Sequence, residues 1–137
     1  MPTVYFPSLD DAEVVEVEFS SDSGTRRLLK LLVDSGFTGQ SSIVLGIEED
    51  DLIRAVMASA PATGALQGEQ NRAWVTCQIS EIGFQKTLIA ILTDLAPLSL
   101  PEDIRGMVGL SFLRQFARWG SEHTADGWQF FLSLGED

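Results

Sequence analysis

Few residues in this sequence could do chemistry, and the best placed is an acid. Residues 30–45 read KLLVDSGFTGQSSIVL, so Asp34 closes the apolar run Leu31-Leu32-Val33. A carboxylate delivered into an apolar setting must be paired, hydrogen-bonded or protonated. Those are the states that general acid–base catalysis uses. The same tripeptide also occurs as Asp22-Ser23-Gly24, so the flanks must decide which copy matters. The chain has one cysteine and one histidine. Cys77 lies in the alternating WVTCQIS and reads as a small strand residue rather than a nucleophile. His123 lies in the loop-like SEHTADG, without the further ligands a zinc site needs or the third group a Ser-His-Asp triad needs. No metal site and no cofactor are expected.

The elements around the two tripeptides differ. Val14-Val15-Glu16-Val17-Glu18-Phe19 alternates as a half-buried strand. The turn formers of 20–25 follow, and then Arg27 to Val33 reads as a second strand with both faces mostly covered. Together they make a hairpin with Asp22 at its solvated tip, where Asp and Gly supply turn geometry. Asp34 instead lies between that strand and a further apolar segment, Ser42-Ile43-Val44-Leu45, which aims its carboxylate towards the sheet interior. The bland alternative is a second tight turn with Gly36 and Gly39 at positive φ.

The spacing of Leu52, Ile53, Val56 and Met57 predicts an amphipathic helix over 49–60, with Glu49, Asp50 and Asp51 solvated at its N-terminus and Pro61 at its end. The segment 62–71 is small and glycine-bearing. Strands are expected over 73–79 and 84–92 around a turn at 81–83, and a proline-bearing loop over 96–105. Met107-Val108-Gly109-Leu110 is a short apolar run. Phe112, Phe116 and Trp119 predict a second helix over 111–119, and a last strand runs from Trp128 to Leu134. The expected sum is one mostly β domain, 1–137 with its core at about 14–134, carrying two short helices.

The charge of −11 over 137 residues disfavours nucleic acid and strongly anionic ligands. At 45% hydrophobic residues the chain has material for a core. No apolar run approaches the roughly 18 residues of a membrane span. The N-terminus MPTVYFPSLDD lacks the charged start and apolar stretch of a signal peptide. A soluble protein in a reducing, cytoplasmic setting is expected, with no membrane partner.

Leu32-Val33-Asp34-Ser35-Gly36-Phe37-Thr38-Gly39, followed late in the chain by Met107-Val108-Gly109-Leu110-Ser111-Phe112-Leu113, resembles the retropepsin-like aspartic proteases, and most of all their bacterial single-domain members. The resemblance covers roughly residues 14–134. It implies a β-barrel of the acid protease type, and hydrolysis of peptide bonds by two facing aspartates. One chain supplies one framed Asp-Ser-Gly, so the resemblance implies a homodimer with Asp34 of each subunit on the two-fold axis. It further implies that Ser35 holds the two loops in register and that Gly36 permits close backbone approach. A hairpin over Gly64 to Trp74, with Gly68 near its tip, would close over a peptide or protein substrate. Val108 and Gly109 would pass behind the aspartate loop. Trp74 is expected in the core rather than lining the cleft, and Phe112, Phe116 and Trp119 in the core rather than against substrate. Two alternatives stand beside this reading: a non-catalytic dimer of the same fold that binds a peptide or protein, and an unrelated small barrel with a chance tripeptide.

Overall fold

The computed structural model describes residues 3–9, 12–62 and 68–135, with the side chains of 55–62 and 68–70 left aside. Among the described residues ten strands carry the fold: β1 (Thr3–Pro7), β2 (Val14–Ser20), β3 (Arg26–Val33), β4 (Ile43–Gly46), β5 (Ile53–Ala62), β6 (Gly68–Ile79), β7 (Phe84–Thr93), β8 (Gly106–Val108), β9 (Arg118–Thr124) and β10 (Gly127–Ser133). One helical turn, α1 (Leu110–Leu113), follows β8.

The expected first hairpin forms, with β2 and β3 paired from Val14↔Leu32 to Ser20↔Arg26. Its tip is closed by the Ser21 amide, which donates to the Thr25 carbonyl at 2.9 Å, with Gly24 at φ +90°. Strands then neighbour one another in the order β2-β3-β8-β4-β7-β6. Pairing of β6 with β2, from Glu18↔Gln78 to Ser20↔Thr76, closes these six strands into a barrel. Closure pairs the open sides of β2 and β6 there, while β5 stays an edge strand. On that side of β6 the partner is β5 as far as Val75 and β2 from Thr76.

The barrel interior follows from strand alternation. Val15, Val17 and Phe19 of β2, Leu29 and Leu31 of β3, Ile43 and Leu45 of β4, and Val75 and Cys77 of β6 pack into one cluster with Phe112 and Leu113. β3 is covered on both faces only at its end: Leu28, on its outer face, is 62% exposed. β4 is buried throughout, because Val44 on the opposite face packs with Ile91 and Met107 under Phe37, Leu95, Leu98 and Leu100. Burial pushes the Cys77 thiol pKa up, so at neutral pH it is protonated. An aromatic disulfide reagent is therefore expected to leave the native protein unmodified and to label one thiol per chain in denaturant, read by absorbance; rapid native labelling would contradict this packing.

Four expectations about elements are corrected. Residues 49–60 are not one helix: a 3-10 turn spans Ile47–Leu52 and the chain then enters β5. The periodicity at 52–57 was compatible with either state, and pairing with β6, from Ile53↔Val75 to Ala62↔Gly68, selects the strand. Pro61 is tolerated because β5 is an edge strand. The second helix stops at Leu113, and Trp119 lies instead in β9, opposite Leu132. His123 is not in a loop but in β9, opposite Trp128, with the two rings 5.2 Å apart. The core also extends beyond 14–134, since β1 pairs with β10 and contributes buried Val4 and Phe6.

The acidic run is not simply solvated. Glu49 is 4% exposed and accepts a 2.6 Å hydrogen bond from Arg27 Nη1. Arg27 also grips Asp51 through two bonds, of 3.0 and 2.7 Å. Hydrogen bonding to Arg27 holds the Asp51 carboxyl below its ordinary pKa of 3.8 and raises that of the guanidinium. This pairing stabilises fully above pH 3.8, and its contribution is lost as pH falls through the lower folded value. Arg27→Ala would leave Glu49 without its cation. With solvent screening of the half-exposed guanidinium, a loss of about 1–2 kcal/mol in urea unfolding at pH 7 is expected. The acid-side fall in stability due to Asp51 should flatten in the same variant.

Candidate active-site loop

β3 and β8 run parallel, with Leu32 beside Met107 and Val33 beside Val108. The last rung is the Asp34 amide, which donates to the Val108 carbonyl at 2.9 Å. Beyond it the chain leaves the sheet. Asp34 Oδ1 accepts the Gly36 amide at 3.0 Å, and the Asp34 carbonyl accepts the Phe37 amide at 3.1 Å. An aspartate that ends a strand and hydrogen-bonds the backbone two residues on forms a local turn that fixes its own carboxylate. Asp34 is half-buried at the barrel rim, rather than buried in the sheet, and Ser35 and Gly36 are exposed.

The glycines of the loop do different things. Gly39 takes φ +114°, as the tight-turn alternative has it, but Gly36 is not among the glycines with positive φ. What matters at Gly36 is space, since a Cβ there would stand 3.2 Å from Asp34 Oδ1. Gly109 is the tighter constraint. A Cβ there would run into the Phe37 ring and stand 2.6 Å from the Phe37 carbonyl oxygen. That closeness lets the Leu110 amide donate to the Phe37 carbonyl at 2.9 Å, while the Gly109 amide donates to the Ser42 carbonyl at 2.9 Å. Val108 is fully buried behind this loop. Val108 and Gly109 therefore lie directly against the segment that carries Asp34.

Ser42 and Ser111 were not singled out as site residues from the sequence, yet their hydroxyls meet at 2.6 Å behind the same loop. Phe37, too, matters beyond its place in the motif, because it packs the loop onto the outer cluster of Val44, Ile91 and Met107. Only contacts between residues distant in the chain reveal these roles. Asp22, the rival acid, is exposed at the hairpin tip and forms an ion pair with Arg54.

Of the hairpin expected over 64–74, residues 68–74 lie in β6, which pairs antiparallel with β5. Its rungs Ala60↔Gln70, Pro61↔Glu69 and Ala62↔Gly68 lie beyond Asn71↔Leu92, the last rung of β6 with β7. This end of the strand pair therefore extends past its pairing with the barrel wall. Gly68 opens β6, and Gly64 lies outside the described residues. Trp74 is paired with Ile89 and Ala55. It is 37% exposed and so is not the core residue expected.

Among the described residues no helix is long and apolar enough to cross a membrane. No family model matches this chain, and a search of curated proteins returns no match.

Proposed function

We propose that this protein is a retropepsin-like aspartic endopeptidase, active as a homodimer in a reducing, cytoplasmic setting. The observation that supports it most is the anchoring of Asp34: the residue closes a barrel strand, and its loop is pinned to β8 and α1 at Val108, Gly109 and Leu110. That arrangement fits a carboxylate that must be held still while it handles protons.

In this reading Asp34 of each subunit meets its twin on a two-fold axis, about 3 Å apart. Two carboxyls so close cannot both ionise cheaply, so they share one proton and titrate as a pair. The ionised member takes a proton from a water, which attacks the peptide carbonyl carbon. The protonated member donates to the carbonyl oxygen, and collapse of the tetrahedral intermediate passes a proton to the departing amine. Ser35 holds the paired loops in register, and the β5–β6 hairpin closes over an extended peptide, excluding water. No metal or cofactor takes part in these steps.

The deciding experiment combines sedimentation with digestion of a broad peptide library at several pH values, with and without a statine-type transition-state mimic. A dimer whose cleavage the mimic blocks is expected. A dimer that cuts nothing and ignores the mimic would favour the non-catalytic peptide-binding module. A strict monomer at high concentration would remove the shared dyad altogether.

A further inference from the structure

The geometry points to Ser42 and Ser111 as a positioning pair for the Asp34 carboxylate, an inference that rests on the endopeptidase reading. The loop from Asp34 to Ser42 is held at three places by backbone bonds: Asp34 to Val108, Phe37 to Leu110 and Ser42 to Gly109, each 2.9 Å. Any sequence with the right glycine could make those bonds. The hydroxyl pair is different, because it depends on two particular side chains. Ser42 Oγ and Ser111 Oγ are 2.6 Å apart, a short hydrogen bond in which either can donate.

The surroundings make this pair hard to explain as filler. Ser42 is 3% exposed and Ser111 half-buried, and the residues that follow them in the chain, Ile43 and Phe112, are wholly buried. Alanines would suit such a setting without any need for mutual satisfaction. A directional bond does what apolar contact does not: it fixes α1 against the end of the loop in one register. Ser42 also donates its amide to the Ile89 carbonyl at 2.8 Å, so the same residue ties the loop to β7. Three elements thus converge at one serine at the C-terminal end of the Asp34 loop. Neither hydroxyl touches the reacting atoms in the proposed chemistry; the pair acts through the loop, whose placement a shared dyad requires to within a fraction of an ångström.

The test uses S42A, S111A, the double variant S42A/S111A and S111T in the full chain. S111A strands the buried Ser42 hydroxyl and S42A the half-buried Ser111 hydroxyl, whereas the double variant strands neither and should return to near wild-type melting temperature. Positioning predicts that kcat in the double variant nonetheless stays about 10- to 100-fold below wild type, with KM within about twofold. The bell-shaped pH dependence of kcat should narrow, because a loosened dyad shares its proton less strongly. S111T, which keeps the hydroxyl, should recover most of the rate. A double variant with wild-type kcat and pH profile overturns the inference, as does a kcat that merely follows melting temperature across the four variants. An active wild type with either result leaves the endopeptidase reading intact, while a wild type that cleaves no peptide overturns both.

Discussion

Asp34→Asn is expected to lower peptide cleavage by about 10³-fold or more while leaving the protein folded and dimeric. The substitution is close to isosteric. Its side-chain carbonyl oxygen can still accept the Gly36 amide that Asp34 Oδ1 accepts at 3.0 Å, so the local turn has no reason to change. What disappears is the group that ionises. In the proposed dyad, an Asn pair can neither accept a proton from water nor donate one as an acid. The shared proton is also no longer needed to relieve repulsion between like charges, so the dimer should hold together at least as well as wild type. Steady-state hydrolysis of a peptide found in the library digestion measures the first effect, sedimentation equilibrium the second, and thermal unfolding the integrity of the fold. Wild-type rates from the asparagine variant would end the assignment of Asp34 as catalytic.

Gly109→Ala should cost about 2–4 kcal/mol of stability and most of the activity, because overpacking adds to a lost hydrogen bond. The new methyl would press on both the Phe37 ring and its carbonyl oxygen, the latter at 2.6 Å. The carbonyl is backbone and cannot swing aside as a long side chain would. The loop must therefore lift from α1, which breaks the bond from the Leu110 amide to Phe37 and moves Asp34 with it. Trimming the ring with Phe37→Ala should rescue only part of the loss, since the carbonyl contact remains. Gly39→Ala gives the contrast. At φ +114° with open space around it, its penalty is backbone strain alone, about 1 kcal/mol, with little effect on Asp34. Urea midpoints for the three variants order these costs, and a Gly109→Ala protein as stable as wild type would mean that the loop does not sit as close to β8 as described.

The alternation in β2, the turn formers of 20–25 and the apolar frame of Asp34 were legible in the chain, because they depend on neighbours in sequence. So were the reading of Cys77 as a small strand residue and of the 84–92 segment as a strand. The helix expected over 49–60 failed for a physical reason: short apolar spacing suits both periods, and only the waiting edge of β6 settles it. The same holds at Trp119, where pairing with β10 outweighs helical spacing.

By itself, then, the sequence determined that this is a mostly β domain with one acid in a setting unlike that of its twin tripeptide. The resemblance implied a barrel, but tertiary structure alone decided which strands close it, through the pairing of β2 with β6. It alone brought Gly109 against Phe37 and the hydroxyl of Ser42 to that of Ser111. Local preferences act over a few residues, whereas these contacts join segments dozens of positions apart, and their partners exist only once the chain has folded back on itself.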